Sequence, residues 1–298
     1  MPRPRNSTPP RRSPGQPLGR PPPPHPGRER VGATALAARG PRRGEDWLYG
    51  RHPVVAALAN PARRWRRLAV LAGQREEAAT LAAAAAGRRR DAGDDPVQVL
   101  DRGALAALLP EGAVHQGWAL EAEPLAQPEL DAMLEAVESP VENPAGRDII
   151  VVLDQVADPH NVGAVLRSAA AFGARAVIVA THGAPPPSAA LAKAASGALE
   201  ALPLISVVNL TRALDRLKEA GFWCCGLEET APQPLAALDL GQRVALVLGS
   251  EGAGLRRLVR EHCDYLARLP TRPDWPSLNI SNAAAIALYE LARGDGAG

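Results

Sequence analysis

The 298-residue sequence predicts an α/β protein in two parts, the larger built on a parallel sheet. Three observations predict it. From Asp148 onward, short continuous apolar runs alternate with helical patterns, which is how strands buried on both faces read. Between Trp47 and Glu121 the same alternation recurs on a smaller scale. The chain is also long enough for two cores of ordinary size.

Residues 1–44 come first and predict no core. They hold ten arginines, twelve prolines and one acid, Glu29, a net +9 that leaves −7 for the rest of a chain whose formal charge is +2. Such a composition reads as a disordered tail. Its arginines suit either a phosphate-attracting arm with salt-dependent RNA affinity or a solubilising extension. Pro21–Pro24 forbid the amphipathic helix of a presequence, and no apolar stretch forms a signal peptide.

Order is expected from Trp47. A turn at Gly50 leads into a helix over 54–58. Next come a strand at 68–71, a helix at 76–86, a strand at 97–100, a helix at 104–109 and a strand at 118–121. Arg63, Arg64, Arg66 and Arg67 surround Trp65, and Arg88–Arg90 form a second group. A basic patch with an aromatic fits RNA phosphates and stacked bases, while a charge run also fits a solvated face. His115, on a turn before a strand, reads as structural. Residues 123–147, with prolines at 124, 128, 140 and 144 around a short helix at 130–137, read as a linker.

The larger part follows. Strands are expected at 149–153, 176–180, 204–208, 222–227, 244–248 and 265–269. Helices are expected from Asn161, as N-cap, to Phe172, and over 188–195, 211–220 and 282–293. Cys224, Cys225 and Cys263 show no metal-ligand spacing, so packing in a reducing compartment is the expected role. No apolar run reaches the ~18 residues of a membrane span.

Two loops near the C-terminus hold the chemistry. Gly249-Ser250-Glu251-Gly252-Ala253-Gly254 follows an apolar strand, and Ser277-Leu278-Asn279-Ile280-Ser281-Asn282 precedes the last helix. They read as two walls of one cofactor pocket. The glycine spacing fits neither a dinucleotide fingerprint nor a phosphate loop, and Gly249-Ser250-Glu251-Gly252 breaks the hydrolase pattern.

Three segments together resemble the SpoU family of RNA ribose 2′-O-methyltransferases: Asn161 to Ala169, Val247 to Leu255, and Leu269-Pro270 with Ser277 to Ala284. Tyr49-Gly50-Arg51-His52, His115-Gln116-Gly117 and Ala195 to Glu200 resemble the subfamily that methylates a guanosine of large-subunit ribosomal RNA. The resemblance implies a SPOUT domain over 148–298 with a deep C-terminal trefoil knot. It also implies a ribosomal-protein-like RNA-binding domain over 45–122, a homodimer with sites shared between chains, no metal, and a cytoplasmic enzyme. The implied cofactor is S-adenosylmethionine, held at Leu248, Gly249, Gly254, Leu269 and Leu278.

For catalysis the resemblance implies Arg167, Asn161, Glu251, Ser277 and Asn279. Arg167 would stabilise a ribose alkoxide, or bind phosphate. Asn161 would orient Arg167 or the ribose, or cap its helix, and Glu251 would anchor Asn161, Arg167 or the substrate guanosine, or remain an exposed loop acid. Ser277 and Asn279 would bond the nucleotide or the donor's amino-acid end, or cap the last helix. Methylation of transfer RNA and a non-catalytic assembly role stay open. Thr271 and Pro273 depart from the family pattern, and Pro273 to Pro276 make that loop stiff and bulky.

Overall fold

The computed structural model describes residues 46–90, 95–138, 146–272, 274 and 277–293. The tail expected over 1–44, and Pro273, Trp275 and Pro276, lie outside them.

The first unit runs β1 (Trp47–Tyr49), α1 (Arg51–Ala59), β2 (Trp65–Val70), α2 (Arg75–Ala84), β3 (Val97–Val99), α3 (Arg102–Ala107) and β4 (Trp118–Ala122). Its sheet has the order β1-β4-β2-β3, with β4 antiparallel to both β1 and β2 and β3 parallel to β2. Trp65, Leu68, Trp118 and Leu120 fill the core beneath α1 and α2. Strand β1, three residues long, was not expected from the pattern.

The basic patch differs from its sequence reading. Trp65 is fully buried and donates its indole N–H to Ala85 O at 3.0 Å, so no base can stack on it. Arg63 is buried, Arg67 pairs with Glu121 at 2.6 Å, and Arg88 is spent on the carbonyls of Leu58 and Asn60. Arg64 and Arg66 remain exposed. His115 is structural as read: it is buried, and its Nδ1 accepts from Gly117 N at 3.0 Å.

After α4 (Leu130–Glu135), the second unit runs β5 (Asp148–Leu153), α5 (Pro159–Ala171), β6 (Ala176–Ala180), α6 (Ala189–Ala195), β7 (Leu204–Val207), α7 (Leu210–Glu219), β8 (Trp223–Leu227), β9 (Gln233–Pro234), β10 (Arg243–Leu248), α8 (Arg257–Glu261), β11 (Tyr265–Arg268) and α9 (Ile280–Ala292). Seven strands pair in the order β7-β6-β5-β10-β8-β11-β9, every pair parallel. Successive side chains point to opposite faces of a strand. Ile149, Val151 and Leu153 therefore meet α5, α6 and α9, while Ile150 and Val152 meet α4 and α7. Both faces are covered, which explains the continuous apolar runs. The two-residue β9 and the short α8 had no readable pattern. Within the described part of the segment read as a linker, Met133 and Val137 are buried in the second layer, and Gln127 Oε1 accepts from Leu204 N at 2.9 Å.

One helix start is corrected. The N-cap of α5 is Asp158, whose carboxylate accepts from His160 N at 3.0 Å, with Pro159 in the first turn. Asn161 lies inside the helix, and its amide is released for other contacts.

Burial pushes the thiols of Cys224, Cys225 and Cys263 up to about 12. All three should resist iodoacetamide at pH 8 in the native chain and react on unfolding, as mass spectrometry will read. Trp65→Ala should cost about 3–5 kcal/mol in urea unfolding, the usual penalty for a buried tryptophan.

Candidate active site

Open parallel sheets bind ligands beyond the C-terminal ends of their strands, where the strand order reverses. Here β5 is followed outward by β6 and β7, whereas β10 and β8 lie on its other side. Beyond the ends of β8, β10 and β11 opens a cavity of about 480 Å³.

The loop after β10 forms its floor. A β-bridge joins Ser250 to Gly254, and Gly254 N donates to Ser250 O at 2.9 Å. A Cβ on residue 249 would fall 2.1 Å from Gly254 C, so only glycine permits this fold-back. Asp154, fully buried after β5, fixes the loop's far end. Its carboxylate accepts from Arg256 N at 2.9 Å and from Arg256 Nε at 2.7 Å.

Every residue expected to hold the cofactor lines this cavity: Leu248, Gly249, Gly254, Leu269 and Leu278. Glu251, Ser277 and Thr271 line it too. Sequence reading missed Leu227, Glu228 and Thr230, which enter from the end of β8. Their position just past a strand was the available signal. Glu228 Oε2 is buried without a hydrogen bond. Arg260 Nε stands 2.8 Å from it as an ion pair outside hydrogen-bond alignment, and Thr230 Oγ1 donates to Glu228 Oε1 at 3.0 Å.

Apolar walls with a few convergent polar groups, at this volume, suit a nucleoside-sized ligand. Leucines offer flat apolar surface to a base, and the Glu228 carboxylate on the cavity wall offers a negative acceptor to ribose hydroxyls. The residues present therefore fit an adenosine-bearing cofactor.

A polar hub stands at the rim. Asn279 Nδ2 donates to Glu251 Oε1 at 2.6 Å and to Asn161 Oδ1 at 3.1 Å. Asn161 Nδ2 also donates to Glu251 Oε1, at 3.2 Å. The other end of Asn279 caps α9: its Oδ1 accepts from Ser281 N at 2.9 Å and from Asn282 N at 3.4 Å. Three of the five expected catalytic residues thus converge. Arg167, exposed on α5, forms no hydrogen bond or ion pair with them or with any other described residue. Glu251 anchors Asn161 and Asn279 but not Arg167.

Asn279→Asp should keep the cap but set two carboxylates across the present 2.6 Å contact. Like charges raise the pair's folded pKa. Stability should then be retained below about pH 4 and fall as pH rises, because the unfolded chain gives up its protons first. Asn279→Ala should lose about 0.5–2 kcal/mol of capping without that dependence. Urea midpoints between pH 4 and 8 check both.

Similarity to known proteins agrees with this geometry. Residues 148–289 match the SpoU rRNA Methylase family, and residues 47–128 match the RNA 2′-O ribose methyltransferase substrate-binding family. The 23S rRNA (guanosine-2′-O-)-methyltransferase RlmB of Pseudomonas aeruginosa is 40% identical over 247 residues, covering 83% of this chain and 95% of that protein. Its counterpart in Xylella fastidiosa is 39% identical over 83% of this chain and 96% of its own. Among solved structures, the SpoU methyltransferase AviRb of Streptomyces viridochromogenes, in complex with AdoMet, aligns with a TM-score of 0.65 at 27% identity, covering 84% of this chain and 90% of that one. The chain belongs to the SpoU rRNA methylase family.

Proposed function

We propose that this chain methylates the ribose 2′-hydroxyl of a guanosine in 23S ribosomal RNA, using S-adenosylmethionine. One observation carries the reading. All five residues expected to hold the donor line a single cavity, and three expected catalytic residues join at its rim. The names of the 40% and 39% identical relatives support the substrate.

S-adenosylmethionine supplies an electrophilic methyl on a sulfonium leaving group. What remains for the protein is to hold donor and acceptor and to make a weakly acidic hydroxyl nucleophilic. Leu248, Leu269 and Leu278 would hold the adenine, and Glu228 the ribose hydroxyls. Arg167 supplies the cation: at ~4 Å and an effective dielectric of ~20, a positive charge favours an alkoxide by ~4 kcal/mol. Its guanidinium stays protonated throughout, so the hydroxyl proton leaves to phosphate or water. Asn161, tied to Glu251 and Asn279, holds the start of the helix that carries Arg167. Ser277, on the cavity wall, would bond the nucleotide or the donor's amino-acid end.

Arg167 has no partner among the described residues of its own chain. That suits a site shared by two copies. Exposed Ile286 and Tyr289 on α9, 47% and 56% accessible, provide an apolar face for the second copy. In this reading residues 45–122 hold the RNA in a ribosomal-protein-like domain, 123–147 connect, and 148–298 form the methyltransferase domain, working in the cytoplasm. The C-terminal segment is inferred to thread a trefoil knot, on the family resemblance.

Calorimetry should show one donor molecule bound per chain, and deletion of the gene should remove one guanosine ribose methyl from 23S rRNA by mass spectrometry. An unchanged rRNA map with loss from transfer RNA would replace the substrate; no donor binding would overturn the reading. Arg167→Ala should lower kcat by about 10³, the rate equivalent of ~4 kcal/mol, with donor affinity unchanged. Glu228→Gln should weaken donor binding about tenfold, as loss of a charge-assisted hydrogen bond does.

A further inference from the structure

Three separated segments carry the subfamily resemblance, namely 49–52, 115–117 and 195–200, and none lines the cavity or joins the hub. The fold brings them to one place, the junction between the two sheets. Ala189 of α6 shares a cluster with Trp47 and Tyr49 of β1, and Leu48 packs on the cores of both units.

Two polar contacts lock that junction. In the first, Glu200 receives a bidentate Arg63: Nη2 to Oε1 at 2.5 Å and Nε to Oε2 at 3.1 Å. Asn60 Nδ2 donates to the same Oε2 at 2.8 Å and to Glu200 O at 3.2 Å. Arg63 Nη1 donates to Glu123 O at 2.6 Å, where the chain leaves the first unit. The pair is nearly sealed, with side-chain exposures of 8% and 6%. Buried ion pairs are poor stabilisers against apolar replacements, and their best-attested use is to fix register. In the second contact, Lys193 Nζ donates to Gln116 Oε1 at 2.7 Å. Gln116 is held at φ 53°, a left-handed conformation that is uncommon without a reason. A Cβ on Gly50 would stand 2.3 Å from Lys193 Nζ, so the lysine occupies space only a glycine leaves.

Helix α6, which bears Lys193, lies against the catalytic helix α5. A Cβ on Gly163 would fall 2.4 Å from Ala194 Cβ and 2.8 Å from Ala195 N. The two helices therefore touch with only the Ala194 methyl between their backbones at that point. Asn161 is two residues before Gly163 and Arg167 one turn after it.

We infer that Glu200 and Lys193 are positioning residues: with Arg63, Asn60 and Gln116 they clamp the RNA-holding unit onto α6, and through α6 fix where RNA is presented to α5. This rests on the proposed methylation. The clamp gives these three segments one shared place in the fold, away from the chemistry.

The experiment uses the full chain with donor and a 23S rRNA fragment. Glu200→Gln and, as a milder change on the exposed contact, Lys193→Met are compared with wild type. Each should lower kcat about 10- to 100-fold, as misplacement of bound reactants does, with KM for RNA within about twofold and donor affinity by calorimetry unchanged. Hydrogen exchange should rise together in β1 and α6 of Glu200→Gln. Three results would each overturn the clamp: a raised KM at constant kcat, which marks direct RNA contact; a lower melting temperature with unchanged kcat at 20 °C, which marks stability alone; and unchanged exchange in Glu200→Gln. A wild type that binds no donor overturns the methylation reading instead, while the exchange measurement still tests the clamp.

Discussion

The active region depends on one buried carboxylate. Asp154 leaves the end of β5 and takes both the backbone and the side chain of Arg256. Those contacts close the glycine loop at the end opposite to β10, so the cavity floor is held from two neighbouring strands. Removing the arginine side chain would leave this buried carboxylate with the residue-256 N–H in place of two donors, a loss that destabilises because a buried charge needs its partners. The near-contact of Gly249 with Gly254 follows from that closure.

Asn279 shows how one small side chain can serve two elements at once. Its oxygen finishes the first turn of α9, and its nitrogen reaches Glu251 and Asn161. A carboxamide can do both because it presents an acceptor and donors at opposite ends of one plane. Serine or aspartate would cap as well but could not donate in the other direction in the same way. Helix stability and rim geometry are thus set by the same rotamer.

Much of this was legible in sequence, for reasons that differ by element. The parallel sheet was readable because burial on both faces leaves long apolar runs such as Ile149 to Leu153. Strand β1 and strand β9 were not, since two or three residues carry no period. That the two loops line one cavity was readable from their glycines and asparagine and from the family they resemble. Asn161 was misread as a cap, although Pro159 already points to Asp158 as the residue before the first turn. Arg63 and Trp65 looked like an RNA surface because their local neighbours are basic. Arg63's partner, Glu200, lies 137 residues away, and no local pattern reveals such a pairing. Glu228 escaped notice because what singles it out is its place on the cavity wall beside Arg260, a property only coordinates display.

The place of β10 also bears on how the chain is made. It pairs with β5 on one side and β8 on the other, yet follows β5 by about ninety residues. During synthesis, β5, β6 and β7 can assemble while the slot beside β5 is still empty. That inner edge, a row of unpaired amides flanked by aliphatic side chains, stays open to the wrong partner until Leu248 has left the ribosome. Parallel pairing across such a gap is intrinsically slow, since a long loop must close before any contact rewards it. A chain of this design spends its riskiest interval half-translated, and nascent-chain chaperones would meet it there.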